Sequence, residues 1–113
     1  MYQVSFPPQS NRASWVFIGE ITDLDNDPIN LTDCLMTFQI SDRQGVMRLV
    51  ASTNNGKIVY IDVGKFRWFF TVAEMHNLEP GTYNTGLTLV NDDGTQTIQL
   101  SVGPLPIVDG VVP

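Results

Sequence analysis

One cysteine, one histidine and six basic side chains are all that this 113-residue sequence holds of three residue types on which much protein chemistry depends. The lone cysteine, Cys34, rules out an internal disulfide and any cysteine cluster around a metal, so the fold must stand on packing. The lone histidine, His76, has no second ligand at metal spacing and no nucleophile beside it in a recognisable pattern. It reads as a surface or half-buried polar residue. Six Lys and Arg against twelve Asp and Glu leave a net charge of −6 and a pI near 4.3. That balance lacks the basic footprint of a nucleic-acid binder and disfavours anionic membrane surfaces. Acidity here serves solubility and keeps copies from associating non-specifically. No run approaches the roughly 18 apolar residues of a membrane span, and the opening residues MYQVSFPPQ lack the basic flank and apolar centre of a secretory leader. The expectation is a soluble chain made in the cytoplasm.

Also missing are paired carboxylates in a catalytic context, a G-x-S-x-G turn, a phosphate-binding glycine loop and any metal-ligand spacing. The nearest approach is Asp23, Asp25 and Asp27, whose D-x-D-x-D spacing has the look of a calcium loop. Pro28 then falls where such a loop needs its glycine, and Cys34 where it needs a bidentate Glu. An Asx-rich turn accounts for the same residues. The sequence thus implies no catalytic residue, no metal and no cofactor.

What is present is a period of two. Apolar residues make up 42% of the chain and aromatic ones 10%, enough for one domain with a real core. The stretch around which the rest is organised runs from Phe66 to Leu89. Phe66, Trp68 and Phe70 alternate with Lys65, Arg67, Phe69 and Thr71, as in a half-buried strand. Ala73 to Leu78 breaks the alternation and fits one helical turn that places Met75 and Leu78 over the end of the core. Tyr83, Thr85, Leu87 and Leu89 then resume it.

Further strands are read at 14–23, with Trp15, Phe17 and Ile21 inward and Val16 and Ile18 left as an exposed pair. Others fall at 34–41, with Cys34, Met36, Phe38 and Ile40 inward, at 46–51, and at 57–61 after an Asn55-Gly56 hairpin turn. The last runs from Thr95 to Val102, after an Asp93-Gly94 turn, with Ile98, Leu100 and Val102 inward. Ile29 and Leu31 read as a short strand re-entering the core. Residues 1–12, with Pro7 and Pro8, read as an extended N-terminal arm. Residues 104–113 read as an apolar tail whose prolines exclude it from a central strand. The domain proper is 13–103.

Seven to eight short strands with turn signals every 8–12 residues indicate an all-β, antiparallel β-sandwich. Leu78, Gly81 and Tyr83 form L-x-x-G-x-Y, the pattern of a tyrosine-corner crossover between sheets, with Pro80 stiffening it. An Ig-like sandwich fits, and the absence of a cysteine pair excludes the antibody type.

Several of these pieces, taken in order, extend the reading. They are Asp25, Pro28, Ile29, Leu31 and Thr32; Phe38, Gln39 and Ile40; Asn55, Gly56 and Ile58; Ala73 and Glu74; Leu78, Pro80, Gly81 and Tyr83; and Asp93 and Gly94. Over about residues 14–102 this order resembles the Ig-like N-terminal domain of phage baseplate upper proteins and related phage tail proteins. Asp33, Ser41 and Gly86 depart from it, standing where that family usually has Gly, Arg and Asp. The resemblance implies a non-catalytic structural protein of a virion, a tail or baseplate adaptor that contacts other virion proteins and copies of itself in a symmetric oligomer. Alternatives are a carbohydrate-binding module, for which Trp15, Tyr60, Trp68 and Phe69 are the candidate platforms, and a capsid decoration protein. The residues expected to touch partners are Tyr2, Val4 and Phe6 in the arm, Phe69 on a polar face, and Leu105, Ile107, Val108, Val111 and Val112 in the tail. On that reading, deleting residues 104–113 leaves a folded domain that fails to assemble.

Overall fold

A computed structural model describes residues 2–3, 5–22, 25–91 and 94–109, with the backbone alone at 2 and 3. In chain order the elements are β1 (Tyr2–Gln3), β2 (Gln9–Ser10), β3 (Trp15–Glu20), β4 (Leu35–Ser41), β5 (Met47–Ser52), β6 (Ile58–Asp62), β7 (Lys65–Phe70), α1 (Val72–His76), β8 (Gly81–Val90) and β9 (Thr97–Val108). The chain is an all-β sandwich of two sheets. One runs β1-β9-β8-β4-β5, with β2 also on β9, and the other runs β3-β7-β6. Every pairing is antiparallel except those of β1 and β2, which lie parallel to β9.

Alternation decides which side chains meet between the sheets. Met36, Phe38 and Ile40 of β4 are buried from one sheet, and Phe66, Trp68 and Phe70 of β7 from the other. Tyr83, Thr85, Leu87 and Leu89 line the inner side of β8. Trp68 stacks on Phe38 across the interface, with ring centroids 3.9 Å apart and planes at 11°. It also stacks on Phe17 at 4.4 Å and 17°. The inward set expected of 14–23 is present: Trp15 is buried, Phe17 and Ile21 pack against the core, and Val16 and Ile18 stay outside. Cys34 packs partly against the core as a small apolar residue.

The crossover after β7 is built locally. Thr71 caps α1 by accepting from the Glu74 N–H, and the Glu74 carboxylate accepts in turn from the Thr71 N–H, a reciprocal capping box. Met75 and Leu78 close the end of the core. The Tyr83 hydroxyl donates to the Glu79 carbonyl at 2.8 Å, the corner bond expected of the L-x-x-G-x-Y pattern.

Four expectations are corrected. First, the Asn55-Gly56 turn does not fold a hairpin, because β5 and β6 belong to different sheets. It is a second crossover, held by the Asn55 side chain and by Gly56 at φ 80°. Second, Ile29 and Leu31 form no strand: Leu31 is buried, but Ile29 is exposed and the segment is tied by a Thr22–Pro28 bridge and an Ile29 N–H to Ile21 carbonyl bond.

Third, the described part of residues 1–12, expected as an arm, is no free arm. β1 and β2 pair with β9, and Phe6 lies in the core with its ring edge-on to Trp15, Phe17, Phe38 and Trp68. Asn11 is buried, and its Nδ2 donates to the Leu78 carbonyl at 3.1 Å.

Fourth, the tail is strand as far as Val108. Thr88 faces Gln99 and Leu87 faces Ser101, so Leu100 is a bulge residue. The bulge turns Val102 away and brings Ser101, Leu105 and Ile107 inward, while Ile98, upstream of it, stays exposed. The prolines fit because of their parity. The Pro104 carbonyl accepts from the Phe6 N–H, so residues of that parity direct their backbone groups toward the N-terminal segment and not toward β8. Pro104 and Pro106 therefore cost the β8–β9 ladder no donor.

These corrections change what truncation should do. Phe6→Ala is expected to cost about 3–5 kcal/mol, the range for emptying a buried phenyl site, read by denaturant unfolding. Deleting residues 104–113 removes fully buried Leu105 and nearly buried Ile107, and is expected to abolish the cooperative transition. A deletion variant as stable as the full chain would contradict the burial.

Candidate interaction surface

The side chains that β3, β7 and β6 turn away from the core form one face. Register places Val16 beside Phe69, Ile18 beside Arg67 and Glu20 beside Lys65, and Val59 of β6 flanks Arg67 on the other side. Val16, Ile18, Val59 and Phe69 are 50, 60, 37 and 39% exposed. These residues are neighbours by register and not scattered single exposures, which is what separates a patch from ordinary surface. With Asn55, Gly56 and Lys57 from the crossover turn, Val16, Val59, Arg67 and Phe69 line an open depression of about 580 Å³.

Three of the six basic residues stand on this side, and their surroundings differ. Lys57 is ion-paired to Glu74. Lys65 Nζ lies 3.9 Å from Glu20 Oε2. Arg67 has no acidic partner among the described residues, so its guanidinium is the uncompensated charge between two apolar neighbours. Glu74 belongs to both the capping box and the Lys57 pair. Burial, the largest influence, pushes its carboxyl up. The Lys57 ammonium and the Thr71 N–H and hydroxyl together outweigh burial and hold it below its ordinary value of 4.5.

The structure separates the residues expected to touch partners. Phe69 is exposed on this face, and Val108 is exposed at the end of β9. Phe6, Leu105 and Ile107 are in the domain's own core and unavailable to a partner. Val4, Val111 and Val112 lie outside the described residues, as does the Tyr2 side chain. Of the aromatic platforms, Trp15 and Trp68 are buried. Tyr60 is held by a 2.7 Å bond from its hydroxyl to the Cys34 carbonyl, and burial, then the nearby Cys34, pushes that hydroxyl up to about 12. Phe69 is the platform that remains. Arg67, Val59 and the Asn55–Lys57 rim were not singled out from sequence. Arg67 shares parity with Phe69 and was legible on that ground, whereas the rim needed the crossover turn to be placed.

A second hollow of about 520 Å³ lies between the Asp42–Arg48 turn and the tyrosine corner. Asp42, Arg48 and Tyr83, three of the polar residues that line it, are committed. Asp42 accepts from the N–H groups of Gln44 and Val46, both at 2.9 Å, and from Arg48 at 2.8 Å. The Val46 bond is the chief influence, and these donors together hold its carboxyl below the ordinary range against the effect of burial. Tyr83 is engaged in the corner.

His76 is exposed at the end of α1. Asp23 of the D-x-D-x-D run lies outside the described residues. Among the described residues no group of three or more His, Cys, Asp or Glu is placed to hold a metal ion, and no helix is long and apolar enough to cross a membrane.

No family model matches the sequence, and no curated protein matches it. Among solved structures the chain is similar to that of CopC from Methylosinus trichosporium OB3b, at 9% identity and a TM-score of 0.47, over 98% of this chain and 88% of that one. A likeness that loose bears on neither activity nor ligand.

The Glu74 pair has a pH signature. Its pKa is lower in the folded chain than in the unfolded one, so its stabilisation is complete above the unfolded value and is lost as pH falls through the folded value. Glu74→Gln should therefore melt below the parent chain at neutral pH, and the difference should close as acid protonates Glu74. A difference in melting temperature that is the same at every pH would rule this account out.

Proposed function

We propose that the chain is a non-catalytic structural protein of a bacteriophage virion: an Ig-like adaptor of the tail or baseplate that works by contact with other virion proteins and with copies of itself. The observation that carries the mode of action is the outer face of β3-β7-β6, where a contiguous apolar patch surrounds an uncompensated arginine. Exposed aromatic and Arg side chains with apolar neighbours are residue types enriched at interface centres. The placement in a phage rests on the sequence resemblance.

Two structural details support the finer reading. The sheet order β3-β7-β6 against β9-β8-β4-β5 is the order in which strands B, E and D face G, F, C and C′ in Ig-like domains, and Tyr83 stands at the start of the strand equivalent to F. Asp33 has φ 69°, the left-handed region that favours glycine, and it occupies the position where the resembled family carries Gly. Asp33→Gly is accordingly expected to be neutral or stabilising by up to ~1 kcal/mol, measured by thermal unfolding.

The decisive test is the particle. The chain should be found by mass spectrometry in purified tails in several copies per particle, and Phe69→Glu combined with Arg67→Glu should remove it from them while leaving its melting temperature near that of the parent. Absence of the parent chain from particles ends the virion reading, and its presence in tail-free heads moves it to capsid decoration.

A second reading has one specific observation in its favour. Phe69 stands exposed at a depression rimmed by Asn55, Lys57 and Arg67, an aromatic platform with polar groups to meet hydroxyls. A glycan array answers it: binding that Phe69→Ala removes would favour a carbohydrate ligand over a protein one.

A further inference from the structure

Among the described residues, no strand lies along one side of the β3 backbone. The Ile21 N–H donates to the Gly64 carbonyl at 2.7 Å, which continues the register in which Glu20 faces Lys65. Hydrogen-bonded pairs recur at every second residue of an antiparallel ladder, so Trp15, Phe17 and Gly19 direct their N–H and C=O groups to β7. Val16, Ile18 and Glu20 direct theirs the other way. There, among the described residues, no strand pairs with them.

The remaining sheet edges each carry at least one protecting device. On β9 the N-terminal segment covers the outer side, supplying the Phe6 and Asn11 N–H groups to the Pro104 and Val108 carbonyls, and the two prolines remove donors. On β5 the Asn55 side chain takes two edge groups at once, its Nδ2 donating to the Val50 carbonyl and its Oδ1 accepting from the Ser52 N–H, and the register with β4 slips near Arg48. On β6 the outward backbone of Ile58 and Tyr60 meets no strand among the described residues, but the register slips at Ile61, a bulge that interrupts the edge. Side-chain caps, bulges, prolines and covering segments are the devices by which sheets avoid unwanted pairing. β3 carries none of them across its six residues, and it adds two exposed apolar side chains.

We propose that this edge is completed by the β3 of a second copy of the chain, paired antiparallel about a two-fold axis, so that two three-stranded sheets become one continuous sheet. This surface and register are not required by the function proposed above, and such a pairing is independent of whether the chain belongs to a virion. An antiparallel edge is complementary to itself, because a two-fold axis presents the same donors and acceptors in reverse order. The sequence of β3 favours one register. With Phe17 opposite its own copy, Val16 falls opposite Ile18 on the outer face, Phe17 meets Phe17 on the inner side, and Trp15 meets Gly19. Glu20 falls opposite Ser14, so no like charges are opposed. A slip by one step of the ladder, with Ile18 opposite Ile18, sets Val16 against Glu20 and loses that match. In that slipped register the half-buried Phe17 falls opposite Gly19, whereas in the first it meets its own copy.

Sedimentation velocity across a range of concentrations should show the unmodified chain moving from monomer to dimer. Amide hydrogen exchange, followed residue by residue, should slow at Val16, Ile18 and Glu20 as the dimer forms. Ile18→Pro removes an edge donor while keeping the ladder to β7, since the Ile18 N–H points outward, and should hold the chain as a monomer. Phe69→Lys, on the face and one strand in, should leave the dimer intact. A chain monomeric at every concentration overturns the proposal. So does a dimer that leaves those three amides unprotected, and so does one that Phe69→Lys abolishes, since that would be face-to-face packing. The exchange measurement uses the unmodified chain, so it decides the matter even where Ile18→Pro lowers stability.

Discussion

The indole of Trp68 is the contact on which the sandwich depends. It lies between Phe17 of its own sheet and Phe38 of the opposite one, stacked on both. Its Nε1 is buried and, among the described residues, has no hydrogen-bond partner. An orphan donor of that kind costs about 1–3 kcal/mol. A buried Trp removes roughly 150–250 Å² from water, which at ~25 cal/mol per Å² is worth about 4–6 kcal/mol. The area term therefore outweighs the missing bond, and the stacking contacts add to it. This is why an apolar slot with no acceptor still selects Trp: the site is organised for ring area between two sheets, and the N–H is carried along.

Once Trp68 is fixed inward, parity fixes much else. Phe66 and Phe70 join it, and Lys65, Arg67 and Phe69 must face out. Gly19 follows from the same packing, because a Cβ there would lie 2.4 Å from the Phe66 ring. The outward residues carry little of the core's packing. The exposed apolar residues among them and their neighbours, Phe69, Val16, Ile18 and Val59, are not explained by what holds the sheets together, and that is the physical ground for reading the face as a contact surface.

How much of this was legible depended on whether the signal was local. Alternation gave β4, β7 and β8 with their inward residues, and L-x-x-G-x-Y gave the corner bond of Tyr83, because each is written within a few residues. The Thr71–Glu74 capping box was equally local and could have been read from T-x-x-E. The terminal segments were misread because proline was weighed without its neighbour. Whether Pro104 and Pro106 break a strand depends on which edge their missing donors face, and that edge is set by Phe6, some hundred positions earlier in the chain. The Asn55-Gly56 turn was misread for a similar reason: the dipeptide specifies a tight turn with Gly56 at positive φ, but not whether the next strand returns to the same sheet. Arg67 at the candidate site was visible by parity, yet its want of an acidic partner emerges only when Lys57 and Lys65 are seen to be engaged by Glu74 and Glu20.

The two misread segments also bear on the open edge of β3. A β-sandwich whose first residues ran along β3 would cover that edge itself. Here the N-terminal segment is drawn to the other sheet, where Phe6 enters the aromatic core, Asn11 binds the Leu78 carbonyl, and the Phe6 and Asn11 N–H groups meet carbonyls of β9. The same segment cannot lie on both sheets from residue 6 to residue 11. Burial of Phe6 therefore secures the proline-bearing edge of β9 at the expense of β3, and the bare edge of β3 follows from where the core draws the N-terminal segment. A fold that leaves an edge open for such a reason can keep it from non-specific pairing by charge, and the excess of acidic over basic residues supplies that repulsion at long range. The paired register bears the same long-range repulsion but sets no like charges directly opposite each other, since Val16, Phe17 and Ile18 meet apolar side chains and Glu20 meets Ser14. Selectivity at this edge thus comes from the pairing of side chains at short range, with net charge setting how rarely wrong encounters reach it.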